Sequence, residues 1–325
     1  MPKSPILYIV VPCYNEQEVL PECAKVLTAK MQEMMKIELI SPESRIMFVD
    51  DGSKDKTWQL ILEHHTQNSL ITGVKLAHNR GHQNALLAGL MTARNYADCT
   101  ISIDADLQDD IGVLDQFVEK FASGADVVYG VRDNRTTDTF FKKFTAGLFY
   151  KFMRLLGAEI LDNHADYRLL SKRALDALSQ YKEVNLFLRG IIPHIGFKSE
   201  IVYYKRAERF AGESKYPLKK MISFALDGIT SFSVRPLKII SHFGIFISIL
   251  SVLGLLYALI SYFLGLTVPG WTAIVASIWL GFGLTMLSLG VIGTYIGKIY
   301  SEVKARPKFI IEDELKSKNS DEITE

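Results

Sequence analysis

The sequence predicts an α/β protein, in which a mostly parallel sheet covered by helices is followed by a hairpin of two membrane-spanning helices. Short apolar runs alternate with segments of helical periodicity along the first part of the chain, which is typical of βαβ units. Acidic residues follow several of these runs, where such sheets bind ligands. The run Ile239–Gly297 contains no Asp, Glu, Lys or Arg, which is enough for two crossings at about 20 residues each.

The first apolar run, Ile6–Val11, is rich in β-branched residues and is not interrupted by polar ones, as expected of a strand that is buried on both faces. Pro12 ends it, and a helical pattern follows. The same alternation of strand and helix recurs three times and is followed by a fifth strand. Predicted strands cover residues 6–11, 45–49, 74–77, 100–103 and 126–129, and predicted helices cover 16–34, 82–96 and segments that begin near 55 and 111.

The charge balance and the cysteine content exclude several classes of protein. The 325 residues carry 37 Lys and Arg against 36 Asp and Glu, a net charge of +1, which argues against nucleic-acid binding through bulk charge. Hydrophobic residues make up 48% of the chain, which excludes a disordered protein. The three cysteines have no metal-binding spacing, and we interpret them as small buried residues in a reducing compartment.

The distribution of apolar and basic residues predicts four segments. Residues 1–215 form a cytosolic domain, 216–238 a juxtamembrane helix, 239–297 two transmembrane helices (239–264 and 271–295), and 298–325 a cytosolic tail with a solvated acidic end. Basic residues flank the charge-free run on both sides, whereas the connecting turn has none, so the head and both termini are predicted to be cytoplasmic. Within the first segment, 140–156 has an amphipathic pattern with basic residues, typical of a helix at a membrane surface.

The pair Asp104 and Asp106 is the strongest candidate for chemistry. Alternate residues of an extended chain project to the same side, so both carboxylates can face one cation. Mg²⁺ and Mn²⁺ take such oxygen ligands and complete their coordination with water and phosphate oxygens. The chain has neither the G-x-G-x-x-G fingerprint nor a P-loop, which argues against a dehydrogenase and against an ordinary ATPase.

Five motifs in order give the chain a family resemblance: VVPCYNE at 10–16, VDDGS at 49–53, DADLQ at 104–108, GVR at 130–132 and GESKY at 212–216. With them the chain resembles the polyprenyl-phosphate glycosyltransferases of glycosyltransferase family 2. These include dolichol-phosphate mannose synthases and bacterial bactoprenol glucosyltransferases. The resemblance implies a GT-A (Rossmann-like) fold and transfer with inversion, and the two predicted spans match the bacterial branch.

The resemblance also implies roles for individual residues. Asp104 and Asp106 would hold Mg²⁺ or Mn²⁺ on the donor diphosphate. Arg209 and Lys215, in a turn-rich segment, would act on the phosphates in catalysis. The expected nucleotide-sugar site consists of Pro12, Tyr14, Glu16, Val49, Asp51, Asp104, Gln108 and Arg132.

Asp166 matches the position of the family's catalytic carboxylate. Since a phosphate monoester with a second pKa of about 6 is largely ionised already, Asp166 either acts as a base or orients the acceptor and pairs with Arg168. The expected contacts of the acceptor phosphate are Arg132, Lys143, Arg168 and Lys215.

The resemblance therefore predicts a plasma-membrane enzyme that transfers a hexose, with UDP-glucose favoured, to undecaprenyl phosphate at the cytoplasmic leaflet. The product would serve the glycosylation of a cell-surface polymer, and a homo-oligomer such as a tetramer is a further expectation. The same reaction with UDP-N-acetylhexosamine, GDP-mannose or a UDP-aminoarabinose-type donor is the alternative. A non-catalytic scaffold that binds nucleotide sugar or lipid is the alternative from another class. The absence of Q-x-x-R-W argues against a processive synthase. The spans contain almost no ionisable residue besides His242, which argues against a small transporter or channel.

Overall fold

The computed structural model describes residues 4–132, 164–183, 188–205, 235–264 and 270–317. The chain divides into two compact units. The first, called the head unit, comprises Met1–Thr145, Ile160–Lys215 and Arg306–Glu325, and the second, called the helical unit, comprises Ala146–Glu159 and Tyr216–Ala305. The amphipathic segment 140–156, most of the juxtamembrane helix, and Lys143, Arg209 and Lys215 lie outside the described residues.

The head unit is built on one mixed sheet of eight strands with the order β7-β5-β6-β4-β1-β2-β3-β8. Four of its strand pairs are parallel and three are antiparallel, which confirms the predicted α/β class and its GT-A-like form. The strands are β1 Leu7–Cys13, β2 Arg45–Asp50, β3 Ile71–Leu76, β4 Cys99–Ser102, β5 Val127–Arg132, β6 His164–Ser171, β7 Ser199–Tyr204 and β8 Ile311–Leu315.

Six helices of the head unit are described, of which the first four follow strands as the alternation predicts and the last two were not predicted. They are α1 Leu20–Lys36, α2 Thr57–Gln67, α3 His82–Ala93, α4 Leu114–Ala122, α5 Lys172–Leu178 and α6 Leu188–His194. A short 3₁₀ turn, Ile111–Val113, precedes α4, and the Asp110 side chain caps it by accepting a 2.8 Å hydrogen bond from the Gly112 N–H.

Every residue of β1 is buried, because helices cover both faces of the central sheet. Helix α1 packs on this core through Leu20, Leu27 and Met31, which recur at helical spacing. Helix α3 lies closer still at Gly89, where an added Cβ would come 2.5 Å from Val10 Cγ1. This close approach fixes α3, and thereby the loop before it, over the centre of the sheet.

The predicted solvated tail is wrong for residues 311–315. They form β8, which pairs antiparallel with the edge strand β3, for example Gly73 with Leu315. Lys75 Nζ lies 3.0 Å from Glu312 Oε1, and Leu315 packs against the hydrophobic core. The acidic side chains made this segment resemble a disordered end, but pairing with a strand edge needs main-chain groups more than apolar side chains.

The helical unit contains α7, Arg235–Phe263, and α8, Trp271–Lys304. Both coincide with predicted spans, and α8 continues past the predicted end to Lys304. Among the described residues, one stretch, Leu280–Lys304, is long and apolar enough to cross a membrane by length and composition. The two-crossing hairpin itself stays a prediction.

Candidate active site

The acidic strand ends meet on one edge of the sheet. Strand β1 lies between β4 and β2 and runs parallel to both, so the carboxyl ends of all three are neighbours. Asp50 ends β2, opposite Cys13, and the Asp104 segment follows β4. This edge, called the rim, brings together the predicted motifs VVPCYNE, VDDGS and DADLQ, and it is where a sheet of this kind binds ligands.

On the β2 side of the rim, Asp51 holds the loop before α3. It is 2% exposed, and its two oxygens accept hydrogen bonds from the N–H groups of Arg80 and Gly81 at 2.6 and 2.8 Å. Gly52 has φ +65°, and a Cβ there would come 2.6 Å from the Asn79 nitrogen. The two residues therefore fix where α3 begins, which the sequence prediction for Asp51 did not include.

The other predicted nucleotide residues occupy neighbouring positions. Pro12 on β1 and Val49 on β2 are buried and paired in register. Tyr14 follows β1 and is 42% exposed, and Glu16 is half-buried. The exposed tyrosine lies beside the strand ends, and its role in nucleotide binding stays a prediction.

The DADLQ segment forms a tight loop. Asp106 Oδ1 accepts a 3.2 Å hydrogen bond from the N–H of Gln108, which is buried, and Leu107 between them has φ +54°. A leucine rarely adopts this left-handed conformation. Strain of this kind is found mainly where the surroundings dictate the backbone of a functional site.

A buried network anchors the far end of this loop to the edge of the sheet. Tyr204 Oη donates a 2.5 Å hydrogen bond to Asp109 Oδ1, and Arg132 Nε donates a 3.2 Å hydrogen bond to Tyr204 Oη. Arg132 Nη2 lies 3.7 Å from Asp109 Oδ1. Arg132 thus pairs with an aspartate of this loop, which the sequence prediction left out, and its predicted contact with substrate phosphates stays a prediction.

Asp166 lies next to Asp104 because of the strand register. Ser102 on β4 pairs with Arg168 on the antiparallel strand β6. Asp104 and Asp166 each lie two residues beyond this pair, and their carboxylates are close enough to interact electrostatically. His82, the first residue of α3, lies between the two carboxylates, with Nε2 3.5 Å from Asp104 Oδ1 and 3.7 Å from Asp166 Oδ2.

Two arginines pair with Asp166. The Arg168 guanidinium, on the same strand and 1% exposed, contacts Asp166 Oδ1. Arg189, on α6, binds both oxygens, with Nη2 2.9 Å from Oδ2 and Nε 3.2 Å from Oδ1. Burial alone would raise the pKa of Asp166, but the charges of the two arginines outweigh it and hold the pKa well below its usual range. An ionised and doubly paired carboxylate is a poor base, which favours the orienting role.

Asp104 has the opposite electrostatic environment. Its partial removal from water raises the pKa to about 6, and the nearby carboxylates of Asp109, Asp166 and Asp106 act in the same direction, while His82 opposes them. Like charges near a carboxylate disfavour its ionised form, and a divalent cation would reverse that effect.

The donor set fits a magnesium or manganese ion shared with the substrate. Two carboxylates supply hard oxygen ligands, and Mg²⁺ in nucleotide enzymes commonly has one or two carboxylates besides phosphate oxygens and water. Within the ranges that the structure describes, no group of three or more His, Cys, Asp or Glu residues is arranged to hold a metal. The remaining ligands would therefore have to come from the diphosphate and from water.

The site residues predicted from the sequence include neither Arg189 nor His82. His82 belongs to a segment that joins β3 to α3 on the rim, and its place at a helix start behind Gly81 was a usable signal. No pattern pointed to Arg189, since its pairing depends on how α6 lies against β6. The predicted residues Asp104, Asp106, Gln108, Asp166 and Arg168 are all brought together.

The sheet and its acidic rim are those of a GT-A-like glycosyltransferase, and comparison with known proteins agrees. Residues 8–179 match the model for glycosyl transferase family 2. The chain is 53% identical over 312 residues to the uncharacterized glycosyltransferase YkoT of Bacillus subtilis (strain 168), covering 96% of this chain and 93% of that protein. The chain therefore belongs to glycosyl transferase family 2.

Two further relatives have names that state an activity. The prophage bactoprenol glucosyl transferase homolog of Escherichia coli (strain K12) is 39% identical over 305 residues, which is 93% of this chain and 97% of the relative. The bactoprenol glucosyl transferase of Shigella phage SfV is 38% identical over 308 residues, 94% of this chain and 98% of the relative. Both matches extend well beyond residues 8–179, so similarity is not confined to the family domain.

Proposed function

We propose that this glycosyltransferase transfers glucose from UDP-glucose to undecaprenyl phosphate, with inversion, at the cytoplasmic leaflet of the plasma membrane. The observation that carries the proposal is the near full-length similarity to relatives named bactoprenol glucosyl transferases. The placement of Asp104, Asp106 and Asp166 on one rim supports it, because donor diphosphate and acceptor phosphate must meet at one point.

In the proposed reaction, an oxygen of the lipid phosphate forms a bond to the anomeric carbon while the bond from that carbon to UDP breaks. A single displacement of this kind inverts the configuration. The acceptor needs no strong base, because a phosphate monoester with a second pKa of about 6 is largely ionised at neutral pH. This is consistent with an Asp166 that is already paired with two arginines.

Asp104 and Asp106 are the residues that would hold Mg²⁺ or Mn²⁺. A bound ion would supply positive charge that stabilises the departing diphosphate. On the protein's side, the hydrogen bond from the Gln108 N–H fixes Asp106, and His82 lies against Asp104. Pro12, Tyr14, Glu16, Val49 and Asp51 are the proposed nucleotide side of the site, with Asp51 acting at least through the loop that it holds.

The return of the chain to the head unit supports two membrane crossings. Strand β8 follows α8 but belongs to the same sheet as β1–β7. If α8 crosses the membrane, the segment between β7 and β8 must cross it an even number of times. Helix α7, which has no charged residue after Lys238, is the candidate for the second crossing.

A transfer assay with the full chain in nanodiscs tests the proposal. Radiolabelled UDP-glucose, UDP-N-acetylglucosamine and GDP-mannose are each offered with undecaprenyl phosphate and Mn²⁺. We expect label in the lipid phase from UDP-glucose, its loss on chelation, and at least a 100-fold lower rate for Asp104→Asn and Asp106→Asn. The matched control is Asp176→Asn. Asp176 lies on α5 and is half-exposed, and its Oδ1 lies 3.7 Å from Arg94 Nε.

Preference for another sugar in this panel would replace UDP-glucose as donor and leave the reaction class standing. Binding of nucleotide sugars without any transfer would instead favour the non-catalytic scaffold. Transfer that survives exhaustive chelation at the full rate would remove the metal from the proposal.

A further inference from the structure

The cluster around Asp166 carries more positive than negative charge. It consists of Asp166 on β6, Arg168 on the same strand and Arg189 on α6. One carboxylate faces two guanidinium groups, both of which contact it. Since arginine stays protonated in proteins, the three side chains together have a charge of +1.

The two arginines are not equivalent. Arg168 is 1% exposed, and besides Asp166 it reaches the Leu188 carbonyl oxygen at 3.5 Å. It serves to hold β6 and α6 together. The Arg189 side chain is 35% exposed. The bidentate pair with Asp166 fixes the plane of the guanidinium.

This positive cluster lies beside Asp104 and not on a distant surface. His82 Nε2 approaches both Asp104 and Asp166, at 3.5 and 3.7 Å. The acidic rim would repel an anionic substrate unless cations were placed next to it. An oriented and partly exposed guanidinium at this point has the geometry and charge to bind a phosphate group, for which arginine is well suited.

We infer that Arg189 binds a phosphate group of the substrates and that Asp166 is the positioning residue that orients it. This inference rests on the proposed function, since it assigns a residue to the same site. The phosphate is either the diphosphate of the donor or the phosphomonoester of the acceptor, two sources with the same chemistry. In either case Asp166 contributes to the reaction by orienting Arg189 and not by accepting a proton.

The test compares Arg189→Gln and Arg189→Lys with wild type in two measurements. The first is UDP affinity in the presence of Mn²⁺, by calorimetry, and the second is KM for undecaprenyl phosphate in the transfer assay. Loss of a charged hydrogen bond predicts a decrease of about 10- to 100-fold in one of these affinities. Weaker UDP binding would mean that Arg189 binds the donor diphosphate. A raised KM for undecaprenyl phosphate with normal UDP binding would mean that Arg189 binds the acceptor phosphate. Arg189→Lys keeps the charge and is expected to recover part of the loss.

The matched control is Arg173→Gln. Arg173 on α5 also forms a bidentate pair with an aspartate, Asp126, but it is 65% exposed and away from the rim. This variant is expected to bind and react like wild type. If Arg189→Gln does the same, at an unchanged unfolding midpoint, the inference is wrong while the proposed function stands. If wild type transfers no sugar, the proposed function fails. UDP binding then still tests whether Arg189 binds the donor diphosphate.

Asp166→Asn distinguishes a positioning residue from a base. If Asp166 acts through Arg189, the double variant Asp166→Asn with Arg189→Gln is about as impaired as the worse single variant, because the effects are coupled. The pH dependence of the rate on the acid side is then the same in Asp166→Asn as in wild type. Additive losses, or an acid limb that Asp166→Asn abolishes, would overturn the positioning role. Should Asp166→Asn fail to fold, the Arg189 variants decide the matter alone.

Discussion

Asp104 and Asp166 lie on one rim, but their surroundings shift the pKa values of the two carboxylates in opposite directions. The pKa of Asp166 is held low by Arg168 and Arg189, so it is ionised at any physiological pH. The pKa of Asp104 is raised to about 6, first by its partial removal from water and then by three neighbouring carboxylates. One residue is therefore already neutralised by protein cations, whereas the other still requires a cation.

The raised pKa of Asp104 predicts a pH dependence of metal binding. Below about pH 6 the carboxylate is increasingly protonated, and a metal ion must displace that proton, so apparent affinity falls about tenfold per pH unit for one proton. Above pH 6 the affinity is expected to level off. Titration of Mn²⁺ with UDP present, followed by electron paramagnetic resonance from pH 5 to 8, measures this directly. An affinity that stays constant across pH 5–7 would contradict the assignment of Asp104 as a ligand.

Several residues of the rim could be predicted, and so could the pairing of Asp166 with Arg168, but the partners that come from other elements could not. Asp104, Asp106 and Asp166 are recognisable from motifs because a short stretch of chain carries the whole signal. The pairing of Asp166 with Arg189 links β6 to α6, and the contact of His82 with both carboxylates requires α3 to begin beside β4. These contacts depend on register and helix placement, which no local pattern encodes.

At the scale of elements, strands that obey a simple pattern were predicted and the others were not. Strands β1 and β2 are buried on both faces and are continuous in apolar residues. Strand β8 contains Glu312, Asp313 and Glu314 between two apolar residues, and it is stabilised by main-chain pairing with β3 and by cross-strand charge. Pairing with the edge strand β3, and not its own composition, makes this segment a strand.

We predict that β8 is required for the stability of the head unit. Leu315 packs on the core beside Gly73, so Leu315→Ala is expected to lower the free energy of unfolding by about 1–3 kcal/mol, less than a fully buried leucine would. The control is Ile310→Ala, because the Ile310 side chain lies just before β8 and is 52% exposed. This variant is expected to change the free energy of unfolding by less than about 0.5 kcal/mol. Urea denaturation of the full chain in detergent, followed by fluorescence, compares them. Equal midpoints for the two variants would mean that β8 does not contribute.

At the scale of the whole molecule, connectivity constrains the membrane topology more firmly than hydropathy does. The sequence predicted that both ends of the hairpin lie on one side from the distribution of lysine and arginine. The proposed topology has separate support in the fold, because β8 belongs to a sheet whose other strands precede α7. A chain that leaves the head, crosses a bilayer and returns to the same sheet must cross again.

This topology predicts which positions are accessible from outside the cell. The three native cysteines are buried, so a membrane-impermeant maleimide is expected to leave the wild-type chain unlabelled. A cysteine introduced by Thr267→Cys, in the predicted external turn, should react in intact cells. Cysteines introduced by Glu63→Cys in the head and Lys316→Cys after β8 should react only after permeabilisation. Labelling of position 316 but not of position 63 in intact cells would place β8 and the head on opposite sides of the membrane, which a shared sheet does not allow. Labelling of position 267 only after permeabilisation would mean that neither α7 nor α8 spans the membrane.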